Sequence, residues 1–301
     1  MQMERLPVFH IGANKAGSTT LQRAFLARHP DILSLGKPAP NRALHDAIER
    51  IMDHCNSRNR IPADIVALRE CWHEATRGLD GRVAVYSNEE LIRPFFVDGA
   101  ADAQLPQALF ELVGPYRVVI VARHQLRLIE SLYVHKANSS NYLDFDAWLS
   151  SDPQWHAFGY RFCEIAEAWS SAVGRENVQV FLFEEMAQRP AEFEARLCRF
   201  LGVEPSAGCS LLSGRHENAR KSSRTQAYAR FRSTLFPRVG LGALLPSPIR
   251  KAWRDYLEGG APAKASLPAS WSDRIRDHYL PDNRRLVERF GLPLKEFGYP
   301  L

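Results

Sequence analysis

The feature that most restricts how this chain can fold is a regular alternation of short apolar segments with longer amphipathic ones. The short segments are rich in β-branched residues, and they are Leu6–Gly12, Arg82–Ser87, Tyr116–Ala122 and Asn177–Phe183. Around them, apolar residues recur at helical spacing in Ser18–His29, Asn41–His54, Ala63–Arg77, His124–Asn138 and Ala191–Leu201. Uniformly apolar strands are typical of parallel sheets that helices cover on both faces. The alternation therefore predicts an α/β fold with a central parallel sheet flanked by helices.

The segment Pro205–Pro268 differs from the rest of the chain, because it is rich in Ser, Gly, Pro and basic residues. We interpret it as a lid and not as a separate domain. Within it, Leu235–Trp253 mixes apolar and basic residues, which fits an irregular packed hairpin or a segment that contacts a membrane or an apolar substrate. Helical patterning returns in Trp271–Leu301, most regularly at Pro281–Phe290. We predict one domain over residues 1–301, with a core at 6–203, a lid at about 205–268 and a helical closure at 269–301.

Composition and charge restrict which binding partners and which cellular compartment fit this sequence. A formal net charge of +5 is compatible with an anionic ligand, but no run of basic and aromatic residues indicates a nucleic-acid groove. Five cysteines at irregular spacing fit neither a disulfide framework nor a standard zinc site, which favours a reducing compartment. The residues before Pro7 lack the apolar run of a signal peptide, and no stretch approaches the ~20 apolar residues of a membrane span. We expect a cytoplasmic protein without a transmembrane segment.

The most informative motif runs from Gly12 to Thr20, between a predicted strand and a predicted helix. Free backbone N–H groups and the helix dipole attract an anion at such a position. The two glycines of the motif, Gly12 and Gly17, have the spacing of an ATP-binding loop. However, Ser18 follows the second glycine where that loop has lysine, and Lys15 lies inside the loop. The pattern indicates a phosphate-binding loop without the ATP signature; a simple glycine turn before a helix is the alternative.

A second group of polar residues follows the strand Tyr116–Ala122. Arg123 stands at the carboxyl end of that strand, where parallel sheets bind ligands. Ser131 follows eight residues later on the predicted helix and can add a hydroxyl donor to the same anion. A solvated arginine and an incidental serine are the alternative.

With these motifs the sequence resembles the sulfotransferases that use 3′-phosphoadenosine 5′-phosphosulfate. Their first motif, of the form P-K-x-G-T-T, appears here as Asn14-Lys15-Ala16-Gly17-Ser18-Thr19-Thr20. Their R-x7-S motif appears as Arg123 to Ser131, and a third segment, Phe181–Met186, is similar to Y-E-D-M. The resemblance covers about Leu6 to Val203. The helix that ends at His29-Pro30 looks more like the carbohydrate and bacterial branches than the animal cytosolic one.

The resemblance implies a P-loop-like fold and a set of donor-binding residues. Lys15 would contact the bridging oxygen and stabilise the leaving phosphate. The loop residues Ala16, Gly17, Ser18, Thr19 and Thr20 would surround the 5′-phosphate, while Arg123 and Ser131 would bind the 3′-phosphate. The family's Arg-Lys-Gly motif at that phosphate has its nearest match in Arg220 and Lys221. Since backbone N–H groups, Lys15 and Arg123 can balance the donor's charge, we expect no metal.

Four residues are candidates for the base that takes the proton of an acceptor hydroxyl: Glu89, Glu90, His45 and His135. Glu89 and Glu90 directly follow the strand Arg82–Ser87, at the position where the cytosolic branch has its catalytic histidine. We favour Glu89. The alternative is that both acids only begin the next helix, with Ser87 or Asn88 as its N-cap.

The resemblance implies transfer of a sulfuryl group to a hydroxyl, on a small molecule or glycan, with a carbohydrate or glycolipid as the expected acceptor. The apolar and basic residues of the lid are also compatible with peripheral membrane contact. A metal-dependent P-loop kinase is the first alternative, although the displaced Lys15 argues against it. A catalytically inactive nucleotide-binding module is the second, and the presence of Lys15, Arg123 and Ser131 argues against that.

Overall fold

A parallel sheet forms the centre of the computed structural model, which describes residues 5–37, 40–55, 63–97, 104–136, 143–205, 210–214, 224, 247–259 and 265–301. Its strands are β1 (Val8–Gly12), β2 (Ile32–Ser34), β3 (Val83–Ser87), β4 (Arg117–Ala122) and β5 (Val178–Leu182). They lie in the order β2-β3-β1-β4-β5, and every neighbouring pair is parallel. The sheet confirms the α/β fold predicted from the alternation. Only β2 was not predicted, since three residues are too few for a pattern.

Helices cover this sheet and contribute most of the remaining described structure. The α-helices are α1 (Ser18–Thr20), α2 (Arg42–His54), α3 (Ile65–Ala75), α4 (Pro94–Val97), α5 (Gln104–Val113), α6 (Gln125–Lys136), α7 (Phe145–Ser151), α8 (Phe162–Val173), α9 (Phe183–Gln188), α10 (Pro190–Leu201), α11 (Ser247–Glu258) and α12 (Ala269–Phe290). Turns of π-helix occupy Leu21–Leu26 and Gln154–Phe158, and short 3-10 helices occupy Glu89–Ile92, Arg175–Asn177 and Leu294–Phe297.

The helix after the Gly12–Thr20 loop differs from the regular helix expected over Ser18–His29. Its first turn, α1, passes directly into the π-helical turn, in which the N–H of Ala27 donates to the carbonyl of Gln22 at 3.0 Å. A π-helical turn holds one more residue than an α-helical turn. One extra residue in a single turn cannot be recognised from the spacing of apolar residues in the sequence.

The order of the strands fixes where a ligand site can form. β1 lies between β3 and β4, with His10 opposite Ser87 in one register and Gly12 opposite Val121 in the other. The connection after β1 runs to β2 on one side of the sheet, and the connection after β3 runs to β4 on the other side. The crevice beyond the carboxyl ends of such strands is where α/β sheets bind ligands. The Gly12–Thr20 loop, the pair Glu89 and Glu90, and Arg123 all follow these three strands.

The C-terminal helix α12 packs against α8. Its buried Asp282 accepts hydrogen bonds from the N–H groups of Cys163 and Glu164, at 3.0 and 3.1 Å. These N–H groups at the start of α8 have no acceptor within the helix, and Asp282 supplies one. The helix predicted over Trp271–Leu301 is observed as α12, which contains Pro281 and ends at Phe290. A single domain over residues 1–301 stays a prediction.

Much of the predicted lid, 205–268, lies outside the described residues. Where the sequence favoured an irregular hairpin over Leu235–Trp253, the described end of that segment is helical, since α11 begins at Ser247. Ile249, Trp253 and Tyr256 are exposed on α11. Among the described residues, no helix is both long and apolar enough to cross a bilayer.

Candidate functional site

The loop between β1 and α1 is a tight turn with two residues in left-handed conformation. The N–H of Ala16 donates to the carbonyl of Ala13 at 2.9 Å, while Lys15 has φ = 71° and Gly17 has φ = 82°. A Cβ on Gly17 would lie 2.2 Å from Cε of Met186 and 2.8 Å from the Phe183 ring. Position 17 therefore needs glycine both for its backbone angle and for space.

Ser18 begins the helix at the floor of this loop. Its side chain is buried, and its Oγ has no hydrogen-bond partner among the described residues. A buried hydroxyl without a partner is costly, unless a ligand or water completes its hydrogen bonds. Thr19 and Thr20 follow in the same first turn and are partly exposed.

Arg123, at the end of β4, is held against the same loop. Its Nη1 donates to the main-chain carbonyl of Lys15, and its guanidinium carbon lies 4.5 Å from the centre of the Phe183 ring. Ser131 lies two turns further along α6 and is half-buried. The fold thus joins the two sequence motifs at Arg123 and Lys15.

A cavity of about 440 Å³ opens beside the loop. Its polar wall contains Lys15, Ser18, Thr19, Glu89 and Glu90. Gly17, Asn14, His135, Lys136 and Arg93 also line it, and its aromatic wall consists of Phe96, Trp148, Trp155, His156 and Tyr160. The cavity therefore brings anion-binding groups, carboxylates and aromatic rings within reach of one bound molecule.

Glu89 is the better enclosed of the two carboxylates. Its Oε1 lies 3.0 Å from Nζ of Lys37, and its Oε2 accepts a hydrogen bond from Nε2 of Gln22 at 3.4 Å. Burial raises the pKa of Glu89, but hydrogen bonds from its own backbone N–H, Lys37 and Gln22 outweigh burial and leave the pKa below its ordinary value. Glu89 is therefore ionised at neutral pH and able to accept a proton.

The other three candidates for the base have different surroundings. Glu90 pairs with Arg93 at 3.1 Å, in the same cavity, and His135 lines the cavity at the exposed end of α6. His45 is directed elsewhere, since its Nδ1 forms a hydrogen bond of 2.8 Å with the Tyr86 hydroxyl and it is not part of the cavity lining. Glu89 and Glu90 also begin a helix, as the alternative interpretation expects. Asn88 caps this 3-10 helix, because its side chain accepts a hydrogen bond from the N–H of Glu90.

Several residues of the site were not identified from the sequence. Gln22 and Lys37 touch Glu89 but belong to no motif, and Lys37 follows the short strand β2. The aromatic wall comes from three separate segments around Phe96, Trp148 and Trp155–Tyr160, so no local spacing reveals it. Arg220 and Lys221 lie outside the described residues. Within the described ranges, no three His, Cys, Asp or Glu side chains group as a metal site requires.

Comparisons with known proteins identify the family and the fold. A model described as "Sulfotransferase family" matches residues 7–206. Among solved structures, the chain is similar to a sulfotransferase from Alicyclobacillus acidocaldarius, with 19% identity, 89% of this chain and 99% of the other covered, and a TM-score of 0.51. A mouse sulfotransferase, SULT7A1, complexed with PAP, shares 12% identity over 98% of this chain and 89% of its own, with a TM-score of 0.46. A search of curated protein sequences finds no significant match.

Proposed function

Because this chain belongs to the sulfotransferase family, we propose that it transfers a sulfuryl group from 3′-phosphoadenosine 5′-phosphosulfate to a hydroxyl of a carbohydrate or glycolipid. One observation supports the proposal most directly: Lys15, Ser18 and Glu89 line the same cavity. A transfer between a charged donor and a hydroxyl needs anion-binding groups and an ionised carboxylate within one cavity.

The loop residues fit the phosphosulfate end of this donor. The buried Ser18 Oγ lacks a partner among the described residues, and an anionic oxygen would supply one. Lys15, Ser18, Thr19 and Thr20, with the N–H group of Gly17, would hold the 5′ end. Ala16 would border the phosphate without donating to it, because its N–H bonds the carbonyl of Ala13. Lys15 supplies the positive charge there, so the site as proposed needs no metal.

The 3′-phosphate would lie with Arg123 and Ser131, aided by Arg220 and Lys221. A guanidinium has five N–H donors, so Arg123 can hold the loop and bind a phosphate through different donors. The double contact would link binding of the distant phosphate to the position of Lys15.

When bound, the donor supplies the sulfuryl group and leaves as adenosine 3′,5′-bisphosphate. Glu89 would accept the proton of the acceptor hydroxyl as that oxygen bonds to sulfur and the bond from sulfur to the phosphate oxygen breaks. Lys15 would stabilise the negative charge that develops on the leaving oxygen, an electrostatic contribution of the kind that dominates such transfers.

The aromatic wall supports a ring-shaped acceptor. The ring of Phe96 meets those of Trp155 and Tyr160 edge to face, at 5.1 and 4.9 Å, while Trp148 stacks on His156 at 4.1 Å. The apolar C–H face of a sugar ring packs well on such rings, while its hydroxyls reach the polar wall. Cytoplasmic location and peripheral membrane contact remain parts of the proposal.

A screen of acceptors with labelled donor tests the proposal. Purified protein is incubated with ³⁵S-labelled donor and a panel of sugars, glycolipids and phenols, and Lys15→Ala is the inactive control. We expect label in a sugar or glycolipid. Adenosine 3′,5′-bisphosphate should also raise the Tm without Mg²⁺, because a ligand of the folded state stabilises it. A Tm response only to ATP with Mg²⁺ would favour a kinase, and label only in phenols would refute the carbohydrate acceptor.

A further inference from the structure

A chain of buried polar side chains runs beneath the cavity and ends at Glu89. His10 is 1% exposed, Ser87 is fully buried and Gln22 is 4% exposed. Nδ1 of His10 lies 2.7 Å from Oγ of Ser87, and Nε2 of Gln22 lies 3.0 Å from the same oxygen and 3.4 Å from Oε2 of Glu89. One amide group therefore bridges a hydroxyl in the sheet and the carboxylate in the cavity.

The chemistry of these groups gives the hydrogen bonds a direction. An ionised carboxylate only accepts, so the amide nitrogen of Gln22, and not its oxygen, faces Glu89. The same nitrogen donates its second hydrogen to Ser87. Ser87 in turn shares a hydrogen bond with Nδ1 of His10, whose direction follows the tautomer of the neutral ring. Burial lowers the pKa of His10 to about 4 although the charge of Glu89 opposes this, which keeps the ring neutral at physiological pH.

Secondary-structure elements fix the positions of these hydrogen-bonded side chains. His10 on β1 and Ser87 on β3 are register partners in adjacent parallel strands, so the sheet fixes the distance between them. Gln22 lies in the π-helical turn directly after the loop that contains Lys15 and Ser18. Lys37 holds Oε1 of Glu89 from the other side. The two carboxylate oxygens are thus held from two elements, and the donor-binding segment supplies one of the two contacts.

We propose that Gln22 is a positioning residue, which orients the Glu89 carboxylate towards the acceptor hydroxyl while Ser87 and His10 hold Gln22 in place. The inference rests on the proposed role of Glu89 as the base. Gln22 does not line the cavity, so its effect on the reaction would pass through Glu89.

The test replaces Gln22 by a residue of the same length that cannot donate. In Gln22→Met, Glu89 loses one donor to its charged form, and we expect its pKa to rise by about half a pH unit or more. Carbon-13 NMR of protein labelled at glutamate carboxyls measures this pKa, and the signal absent from Glu89→Gln identifies the residue. We also expect kcat to fall about tenfold, with affinity for adenosine 3′,5′-bisphosphate within about twofold of the wild type.

A matched control is Gln179→Met, since Gln179 lies on β5 and, among the described residues, its amide bonds the main-chain carbonyl of Val180 and no side chain. It should leave both the Glu89 pKa and kcat unchanged. If Gln22→Met does not fold, Ser87→Ala removes the hydroxyl that holds Gln22, and it should raise the Glu89 pKa in the same direction by a smaller amount.

An unchanged Glu89 pKa and kcat in a folded Gln22→Met protein would overturn the inference, and so would a lower Tm as its only effect. Failure of the proposed function gives a different result. Normal turnover in Glu89→Gln would remove Glu89 as the base, and with it the role of Gln22 in catalysis, whatever the titration of Gln22→Met shows. An inactive Glu89→Gln with a fully active Gln22→Met would overturn the positioning role alone.

Discussion

Arg123 and Lys15 lie 108 positions apart in the sequence, yet Nη1 of Arg123 donates a hydrogen bond to the main-chain carbonyl of Lys15. Lys15 has φ = 71°, a left-handed conformation that costs a non-glycine residue about 1–2 kcal/mol. The bond from Arg123 helps to hold this conformation and with it the direction of the lysine side chain. A change at Arg123 should therefore affect the protein's contacts with both the 3′-phosphate and the 5′-phosphosulfate of a bound donor.

Replacement of Arg123 by alanine should weaken binding of adenosine 3′,5′-bisphosphate by roughly 10–150-fold, the range expected for one charge-assisted hydrogen bond. It should also lower kcat, because the carbonyl of Lys15 loses its partner. Calorimetric titration and steady-state kinetics measure the two effects. Arg117→Ala is a matched control, since Arg117 also lies on β4 but bonds the carbonyl of Phe200. Equal losses of affinity in both variants would contradict the prediction.

Replacement of Lys15 by alanine should mainly lower kcat, by about 10²–10³-fold, because in the proposed mechanism the lost charge stabilises the leaving oxygen only as the bond breaks. Affinity for the bisphosphate should change much less. Lys15→Arg keeps the charge but not its point-like shape, and it should recover part of the rate. Single-turnover measurements with saturating donor separate chemistry from binding. An effect of Lys15→Ala on KM alone would show that the lysine only binds.

The variant Glu89→Gln keeps the shape of the side chain but removes its basic oxygen. We expect kcat to fall by ~10²-fold or more, with bisphosphate affinity nearly intact. Glu90→Gln is the matched control, because it lies in the same cavity but pairs with Arg93. Near-normal turnover in Glu89→Gln, with loss of turnover in Glu90→Gln or His135→Ala, would assign the base to that residue.

The acid limb of the pH–rate profile should lie below the ordinary range of a glutamate. The pKa of Glu89 is lowered, so its basic form persists as the pH falls through the usual carboxyl value, and activity declines only at the lower pKa. Lys37→Met removes the positive group at Oε1 and should move this limb to higher pH. Profiles of kcat/KM for the two proteins measure the shift. A limb at the same pH in both would exclude Lys37 as a cause of the low pKa.

The sequence predicted those parts of the fold and site that adjacent residues encode. Uniform apolar runs located four strands of the sheet, and the Gly12–Thr20 motif located the loop. The position of Glu89 directly after β3 was enough to place it in the cavity, because the carboxyl ends of parallel strands meet at one edge.

What the sequence could not predict depends on contacts between distant segments. His45 was a candidate because its place in the fold was unknown, and packing directs it to the Tyr86 hydroxyl instead. Lys37 reaches Glu89 only because β2, too short for a pattern, sets the direction of the chain before it. Phe96 and Trp155 lie far apart in the sequence, so only the folded chain makes them one wall.

The π-helical turn at Leu21–Leu26 amounts to the insertion of one residue into an ordinary helix. Gln22, near its start, is tied to Ser87, while His29, just beyond its end, donates to the carbonyl of Glu204 at 2.9 Å. Deletion of one residue between them would rotate one anchor relative to the other by about 100°, the angle between successive residues of an α-helix. An ordinary helix could keep only one of the two attachments. The inserted residue sets the directions of Gln22 and His29 around the helix axis relative to each other. A relative that lacks this residue would therefore need a different contact at one end of the segment.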